Sequence, residues 1–391
     1  MTTFIKSINL NRFLSYGPSK QPVELGPLNV LIGPNGSGKS NLIEAIELLH
    51  AAPKDLLTPI RDGGGVRDWL WKGESPLRSA TIDAVITNPN GPVDLRYVLE
   101  FAETAQRFEI IDERIENAWP DKGHTDPYFY YRYQNGHSVL NVRGEATPRY
   151  LQREDIDPTA SILSQRKDPD QYPELTYLGD RLGKIRLYRE WSFGRFTKPR
   201  LAQKADLPNS ILEPDASNLG LVLNRLRREP SVKQRLLETL RELYEGIDDF
   251  EVQIDAGTVQ VFFQEGRFMI PATRLSDGSL RYLSLLTILL HPTPPPLICI
   301  EEPELGLHPD VLPTLATLLK EAAGRTQLIV TTHSDVLVDA MTDVPEAVLV
   351  AEKTESSTNL TRLDRAALKP WLEKYRLGQL WTRGDIGGTR W

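Results

Sequence analysis

The sequence predicts an α/β fold in which a buried parallel sheet with its helices is combined with an inserted antiparallel β lobe and a helical lobe. Short and wholly apolar runs at residues 29–32, 297–300 and 327–331 are typical of parallel strands buried on both faces. Residues 81–143 instead alternate between apolar and polar side chains, with a hairpin signal at Asn135-Gly136, which indicates antiparallel strands. Residues 218–246 show helical spacing with a break near Pro230.

The composition indicates a globular chain that is not a membrane protein. The 391 residues are 40% hydrophobic and 25% charged, and no apolar run is long enough to cross a bilayer. A net charge of −7 excludes a chain that is basic throughout, but it allows a local basic face. The single cysteine, Cys299, excludes an internal disulfide or a cysteine-based zinc cluster, and its place in an apolar run predicts core packing. The N-terminus lacks a secretory pattern, so we expect a cytoplasmic protein.

A phosphate-binding loop follows the first apolar run. The segment G-P-N-G-S-G-K-S at residues 33–40 matches G-x-x-x-x-G-K-[ST], with a strand before it and helical spacing to about Ala51 after it. Glycines let successive backbone N–H groups point at phosphate oxygens, and the helix N-terminus adds its dipole. Lys39 is then placed for the β- and γ-phosphates and Ser40 for Mg²⁺. The predicted nucleotide-binding residues of the loop are Gly33, Pro34, Asn35, Gly36, Ser37, Gly38, Lys39, Ser40 and Asn41.

Acidic residues follow the apolar run at residues 297–300. Glu301 and Glu302 stand where ligands bind in open α/β sheets, at the carboxyl end of a strand. Phosphoryl transfer assisted by magnesium needs one carboxylate near the metal and another that orients or deprotonates water. Glu301 and Glu302 fit those two roles, and a solvated acidic turn is the alternative.

Together these motifs resemble the ABC-type ATPase heads of the SMC, RecF and overcoming-lysogenization-defect (OLD) superfamily, in particular its stand-alone bacterial "AAA" ATPases. The resemblance spans nearly the whole chain and implies a P-loop NTPase head with a mixed sheet. Its motifs occur in the family order. They are the loop at 33–40, Gln165 as the Q-loop glutamine, the signature L-S-D-G-S at 275–279, Glu301-Glu302, the D-loop at 305–309 and T-T-H-S at 331–334.

The resemblance implies a role for each of these residues. Ser40, Gln165 and Glu301 are the expected magnesium residues, although Glu301 stands where the family has aspartate. Glu302, His333 and Lys39 are the expected catalytic residues, with Glu302 as general base and His333 at the γ-phosphate. Ser276, Asp277 and Gly278 precede an apolar helix and are expected to contact the nucleotide of a second copy, which implies a homodimer.

Chain lengths between the motifs separate the branches of the superfamily. Residues 41–275 hold a whole lobe, which disfavours a transporter subunit, and they show no coiled-coil pattern. Residues 334–391 are too few for the nuclease domain of OLD proteins, so we expect no nuclease. We predict one head over residues 1–391, with a nucleotide-binding core at 1–60 and 271–391. An inserted β lobe at 61–160 begins with a loop at 60–75, and a Q-loop and helical/β lobe covers 161–270.

Two further segments carry weaker expectations. Residues 181–204 hold eight basic residues against one acid, Glu190, with aromatic residues between them. This mixture suits nucleic acid, but an ordinary solvated face is the alternative and is favoured. For the tail at 377–388 we expect Leu380 and Trp381 to pack on the head.

The sequence therefore predicts a Mg²⁺-dependent ATPase that dimerises head to head around ATP and controls DNA or a partner effector. By family analogy alone the setting is DNA repair or phage defence. An ATP-gated scaffold with little turnover is the first alternative, and a transporter subunit with a membrane partner is the second.

Overall fold

The computed structural model describes residues 3–19, 21–74, 78–134, 136–145, 147–152, 156–354 and 357–388. The strands are β1 (Ile5–Asn11), β2 (Val23–Glu24), β3 (Leu28–Ile32), β4 (Ser79–Ile86), β5 (Leu95–Thr104), β6 (Arg107–Asn117), β7 (Phe129–Gln134), β8 (His137–Leu140), β9 (Arg149–Leu151), β10 (Arg186–Tyr188), β11 (Gln203–Lys204), β12 (Asp249–Asp255), β13 (Thr258–Glu265), β14 (Phe268–Pro271), β15 (Leu297–Glu301), β16 (Gln327–Thr331), β17 (Val348–Thr354) and β18 (Ser357–Arg362).

The helices lie between groups of these strands along the chain. They are α1 (Lys39–Ala51), α2 (Leu57–Asp62), α3 (Val66–Trp69), α4 (Ile162–Gln165), α5 (Pro173–Gly183), α6 (Leu219–Leu226), α7 (Pro230–Leu243), α8 (Asp277–Leu289), α9 (Leu312–Ala322), α10 (Asp335–Asp339), α11 (Arg365–Leu372) and α12 (Leu377–Thr382).

A six-stranded sheet in the order β10-β15-β16-β3-β17-β18 forms the centre of the molecule. Its neighbours pair in parallel except β17 and β18, which form an antiparallel pair at one edge. Alternate residues of β15 face two separate hydrophobic cores. Ile298 and Ile300 contribute to the first core, and Leu297 and Cys299 contribute to the second core. Burial on both faces is the reason that these strands read as continuous apolar runs.

The antiparallel lobe is an eight-stranded sheet in the order β2-β1-β4-β5-β6-β7-β8-β9. The N-terminal strand β1 pairs with β4 and so extends this sheet, while β3 enters the central sheet. A smaller antiparallel sheet built on β12, β13 and β14 packs with α6, α7 and α8 in the first core. The division of the chain into a core at 1–60 and 271–391 and two lobes stays a prediction.

Several predicted elements are confirmed and others are wrong. The strand at 327–331 matches β16, and the helical stretch at 218–246 forms α6 and α7, with Pro230 opening the second. The predicted loop at 60–75 instead includes part of α2 and all of α3, because Ile60, Val66 and Trp69 are buried against the second core. The hairpin residue Asn135 lies outside the described residues, although β7 and β8 pair antiparallel on either side of it.

Two absences hold for the part of the chain that the structure describes. Its longest helix, α7, has 14 residues, so these residues form no coiled-coil arm. None of their helices combines the length and the apolar character that crossing a bilayer requires.

Candidate nucleotide site

The central sheet brings three loops together at the carboxyl ends of adjacent parallel strands. The phosphate loop follows β3, the segment from Glu301 to Glu304 follows β15, and the segment from Thr331 to Ser334 follows β16. Because β15, β16 and β3 are neighbours in the sheet, these three segments form one continuous edge.

The phosphate loop needs glycine where other parts of the chain come close to it. Gly33 and Gly38 have φ angles of 145° and 98°, in the region that favours glycine. A β-carbon at Gly33 would collide with the carbonyl oxygen of Ala351, and one at Gly38 would collide with the hydroxyl of Thr358. The loop therefore takes its shape from β17 and β18 as much as from its own sequence.

Hydrogen bonds from distant segments hold the loop and the start of α1. Thr358 Oγ1 donates to the Ser37 carbonyl at 2.8 Å, and the Tyr16 hydroxyl donates to the Gly38 carbonyl at 3.0 Å. Asn41 Nδ2 donates to Ser15 Oγ at 2.7 Å. Since Asn41 is bonded inside the protein, its side chain serves the loop's position in this arrangement.

Lys39 lies inside the loop. Its ammonium donates to the carbonyl oxygens of Gly33 at 2.7 Å and Pro34 at 3.1 Å, and the residue is only 6% exposed. Burial lowers the pKa of Lys39 to about 8, against the opposing charges of Glu302 and Glu301. The Lys39 ammonium is thus close to losing its proton, and a phosphate beside it would stabilise the charged form.

Glu302 and His333 meet at the same edge. Glu302 Oε1 lies 3.7 Å from His333 Nε2. Glu302 takes a φ of 45°, its N–H donates to the Thr331 carbonyl at 3.0 Å, and its carbonyl accepts from Arg281 Nη2 at 2.7 Å. A non-glycine residue in this region costs roughly 1–3 kcal/mol, so the surrounding contacts hold Glu302 in a strained position typical of functional sites.

His333 is positioned by its neighbour Glu304. The Glu304 carboxylate accepts from the His333 N–H at 2.8 Å and from the Thr332 hydroxyl at 2.7 Å. Burial, and then the charge of Lys39, lower the pKa of His333 against the opposing effect of Glu302. The imidazole is therefore neutral near pH 7. Sequence reasoning assigned no role to Glu304, although its place in the acidic run was a usable signal.

Glu301 is joined to Ser40 and to an arginine that sequence reasoning missed. Burial raises the pKa of Glu301, while Arg189 and a hydrogen bond with Ser40 oppose the rise. Arg189 follows β10, the neighbour of β15, and its Nε lies 3.5 Å from Glu301 Oε1. The same guanidinium donates to Glu44 and Glu47 of α1, each at 2.6 Å. Arg189 thus ties α1 to the acid at the end of β15.

The structure does not bring Gln165 to this site. Its amide donates to the Ala160 carbonyl at 2.7 Å and accepts from the Asp157 N–H at 2.9 Å. It ends α4, a short helix capped by Ser161. The strand beside β15 is β10, so the residue that follows this strand is Arg189, and the assignment of Gln165 to magnesium is corrected accordingly.

The predicted signature lies at the start of α8. Ser276 is the N-cap of α8 and accepts from the Ser279 N–H at 3.0 Å. Ser276 and Asp277 are exposed. A β-carbon at Gly278 would lie 2.6 Å from the Gly306 carbonyl, so the signature and the D-loop are in close contact.

Asp277 is paired with an arginine from the basic stretch. Arg200 forms an ion pair with Asp277 and is only 7% exposed. Its guanidinium also donates to the carbonyls of Phe193 at 2.6 Å, Leu275 at 2.5 Å and Ala272 at 3.2 Å. Arg200 therefore positions the signature and does not face solvent.

Several other residues of the basic stretch also have partners within the protein. Tyr188, Trp191 and Phe193 stack on one another, and the Trp191 indole donates to the Glu301 carbonyl at 3.2 Å. The Arg189 guanidinium forms ion pairs with three carboxylates, and Lys198 forms one with Asp215. Part of residues 181–204 thus has structural contacts that neither a nucleic-acid face nor a solvated face predicted, while Arg195 and Phe196 are exposed, and binding of nucleic acid stays a prediction.

These features define a P-loop NTPase fold of the SMC-head type. The chain matches a solved Smc head bound to the C-winged helix domain of ScpA at a TM-score of 0.55 and 16% identity, over 93% of this chain and 99% of that chain. A second Smc head, from Pyrococcus furiosus and bound to the C-terminal domain of ScpA, matches at 0.54 and 14%, over 95% and 99%. At these identities the structures show the fold alone.

The chain belongs to the family described as "AAA domain, putative AbiEii toxin, Type IV TA system", whose family model matches residues 28–339. It is similar to the DNA replication and repair protein RecF of Acaryochloris marina, with 32% identity over 31% of this chain and 29% of that protein. It is also similar to the chromosome partition protein Smc of Desulfitobacterium hafniense, with 35% identity over 25% and 8%. The matched region thus spans less than a third of either relative.

Proposed function

We propose that this chain binds ATP with Mg²⁺ in the loop at 33–41 and hydrolyses it, as one half of a head-to-head homodimer. The observation that carries the proposal is the approach of Glu302 and His333, 3.7 Å apart, at the sheet edge that also holds Lys39. A carboxylate, a neutral imidazole and a buried cation at one helix N-terminus suit the polarisation and cleavage of a phosphoanhydride.

Lys39 supplies the main binding charge. Its ammonium leaves the carbonyls of Gly33 and Pro34 for the β- and γ-phosphate oxygens, whose negative charge raises its pKa again. Backbone N–H groups of the loop and the dipole of α1 add further attraction.

Ser40 and Glu301 fit a magnesium ion. Mg²⁺ in such sites keeps several waters and takes one or two protein oxygens together with the substrate phosphates. The Ser40 hydroxyl and the Glu301 carboxylate, whose interaction opposes the rise in the pKa of Glu301, offer that donor set. A larger cage is not needed, and no group of three or more His, Cys, Asp or Glu side chains that could hold a metal ion occurs among the described residues. When bound, the ion neutralises charge on the β- and γ-phosphates.

Glu302 is the proposed general base. It takes a proton from a water whose oxygen attacks the γ-phosphorus, while the bond from that phosphorus to the ADP oxygen breaks. Its backbone is held on both sides, by Thr331 and by Arg281, which fixes the point from which its side chain extends towards His333. His333, held by Glu304, donates to the γ-phosphate and responds to its presence.

The second half of each site is proposed to come from the other copy. Ser276 and Gly278 begin α8, whose N-terminus is exposed and suits an anion. Symmetry then gives two equivalent sites, each with the loop of one copy and the signature of its partner.

Steady-state hydrolysis of ATP by the chain and by Glu302→Gln tests the proposal. We expect Glu302→Gln to lose roughly 10²–10⁴-fold in turnover, as loss of a general base does, while still binding ATP and accumulating as a dimer. Glu251→Gln, an exposed change on β12, is the matched control and should turn over normally. ATP binding with dimerisation, but with equal and negligible turnover in all three proteins, would instead establish the ATP-gated scaffold.

A switch that acts on DNA or on a partner effector, in DNA repair or phage defence, is the proposed setting. Its support is the similarity to the DNA replication and repair protein RecF and to the chromosome partition protein Smc. Turnover measured with and without duplex and single-stranded DNA separates the two: stimulation by DNA favours a DNA switch, and indifference favours a protein partner.

A further inference from the structure

The segment from Leu377 to Gly388 contacts α10, the helix that follows His333. Its helix α12 packs along α10, which begins two residues after His333. A β-carbon at Gly378 would lie 2.5 Å from the Asp335 carbonyl, so the two backbones are as close as glycine allows. The Leu377 N–H also donates to the Thr342 hydroxyl at 3.0 Å. One end of the segment is thus fixed beside the segment that carries His333.

The other end of the same segment lies against the phosphate loop. A β-carbon at Gly388 would lie 3.4 Å from the Cα of Gly33 and 2.9 Å from Val350 Cγ1. Two hydrogen bonds hold Gly388 there: its N–H donates to Glu352 Oε1 at 3.0 Å, and its carbonyl accepts from Trp381 Nε1 at 3.1 Å. Trp381 is only 8% exposed, so this second bond is shielded from water.

Gly33 is consequently enclosed from two directions. The Ala351 carbonyl of β17 approaches the position of its missing β-carbon, and Gly388 approaches its Cα. Gly33 is the first residue of the loop, and its carbonyl accepts the Lys39 ammonium. A displacement of Gly388 would therefore shift Gly33, and with it the start of the phosphate loop.

We propose that residues 377–388 are a positioning strap that holds the phosphate loop and α10, the helix after His333, in one arrangement. The residues of the strap act through Gly33 at one end and through α10 at the other, and they are positioning residues, not catalytic ones. The inference rests on the proposed function. It adds the segment that keeps the phosphate loop and α10 at fixed positions relative to each other. By thermodynamic reciprocity, a strap that favours nucleotide binding is itself stabilised when nucleotide binds.

The two ends predict different kinetic effects. Gly388→Ala places a methyl group 2.9 Å from Val350 Cγ1 and 3.4 Å from the Cα of Gly33, so the segment must shift beside the loop, and we expect the Kd for ATP to rise on the order of tenfold, in line with the cost of overpacking. Trp381→Phe removes one hydrogen bond and should raise the Kd about threefold. Gly378→Ala pushes α10 and should lower kcat about fivefold, with the Kd nearly unchanged, because it reaches the His333 side only.

Matched controls separate these effects from general destabilisation. Gly257, in the turn between β12 and β13, has a φ of 77° and no atom within 4 Å of its added β-carbon. Gly179 in α5 has its nearest such neighbour at 3.5 Å. Gly257→Ala controls for Gly388→Ala and Gly179→Ala for Gly378→Ala. Both should keep Kd and kcat within about twofold, since neither contacts the strap.

The experiment combines equilibrium binding of ATP with Mg²⁺, steady-state turnover and amide hydrogen exchange of the full chain. Slower exchange of residues 377–388 on nucleotide binding, together with the Kd and kcat split above, supports the strap. The strap is overturned if Gly388→Ala and Gly257→Ala have equal Kd values, or if nucleotide leaves the hydrogen exchange of residues 377–388 unchanged. Normal turnover of the wild-type chain would in that case leave the proposed function standing. A wild-type chain that binds no ATP overturns both.

Discussion

Two helix N-termini in this chain are predicted to bind phosphate, and their surroundings differ. The start of α1 is enclosed by its own chain, with Lys39 only 6% exposed and the acids after β15 beside it. The start of α8 presents Ser276 and Asp277 to solvent. Under the proposed function, the contrast divides each site between an enclosed half on one copy and an exposed half on a second copy.

The charges at the two helix N-termini also differ. The first residue of α1 is a cation, whereas the first residue of α8 is Asp277, an acid that suits the helix dipole but repels phosphate. The buried partner Arg200 offsets that acid. The α8 terminus therefore depends on a distant residue for its electrostatic suitability, and the α1 terminus does not.

Of the changes considered, removal of the Lys39 cation at the start of α1 should have the largest effect on ATP binding. Lys39→Ala is expected to raise the Kd for ATP by several hundredfold, because charge-assisted bonds to phosphate are lost from a buried position. Isothermal titration calorimetry measures the effect, and Lys233→Ala, which opens only the ion pair with Asp249, serves as the control. Unchanged affinity in Lys39→Ala would place the nucleotide elsewhere.

Blocking the open half should affect turnover and leave binding intact. Ser276→Arg places a bulky side chain at the exposed N-cap of α8, where the nucleotide of the partner copy is expected. We expect turnover to fall about a hundredfold, comparable to the loss of one transition-state donor, with the Kd of the single copy within about twofold. Turnover that stays normal, or that is independent of protein concentration in the dilute range, contradicts a shared site.

Removing the arginine that supports α8 should lower stability. Arg200→Met leaves the carbonyls of Phe193, Ala272 and Leu275 without their donor, so we expect the free energy of unfolding to fall by about 2 kcal/mol. Urea denaturation checks this, with the exposed Arg195→Met as the control at near-zero change. Equal stability of the two variants would show that Arg200 is not structural.

The pH dependence of binding should give the smallest effect. Since the pKa of Lys39 is lowered to about 8 in the free protein, its charge is lost as the pH rises through 8. The Kd for ATP should then rise up to about tenfold between pH 7 and pH 9. Lys39 affects stability with the opposite sign: the unfolded chain holds this proton more tightly, so its contribution to stability increases as the pH rises from about 8 towards the unfolded value. A flat binding profile would contradict a buried, titrating Lys39.

Much of the candidate site was readable because its signals are local. A strand, a glycine loop and a helix follow one another in residues 28–51, and each acidic or histidine segment directly follows a buried strand. Parallel strands align their carboxyl ends, so local strand signals are enough to predict that Glu302 and His333 share an edge.

The errors concern residues whose partners are distant along the chain. Arg189 bonds with Glu44, 145 positions away, and Arg200 with Asp277, 77 positions away, so both appeared as members of a basic stretch. Gln165 had a plausible residue type but lies before α5, and it is β10 that runs beside β15. Which strand lies next to β15 is a topological fact that spacing alone did not reveal.

The sequence by itself determined the fold class, the phosphate loop and the order of the motifs, because backbone conformation, helix termini and apolar runs are encoded by near neighbours. Only the tertiary structure decided that Arg189 stands beside Glu301, that Arg200 supports the signature, and that Gly388 lies against Gly33. Those contacts depend on which buried charges and which backbones the packed core brings together. That outcome depends on the whole chain, because a buried charge needs a partner and a close backbone approach needs glycine.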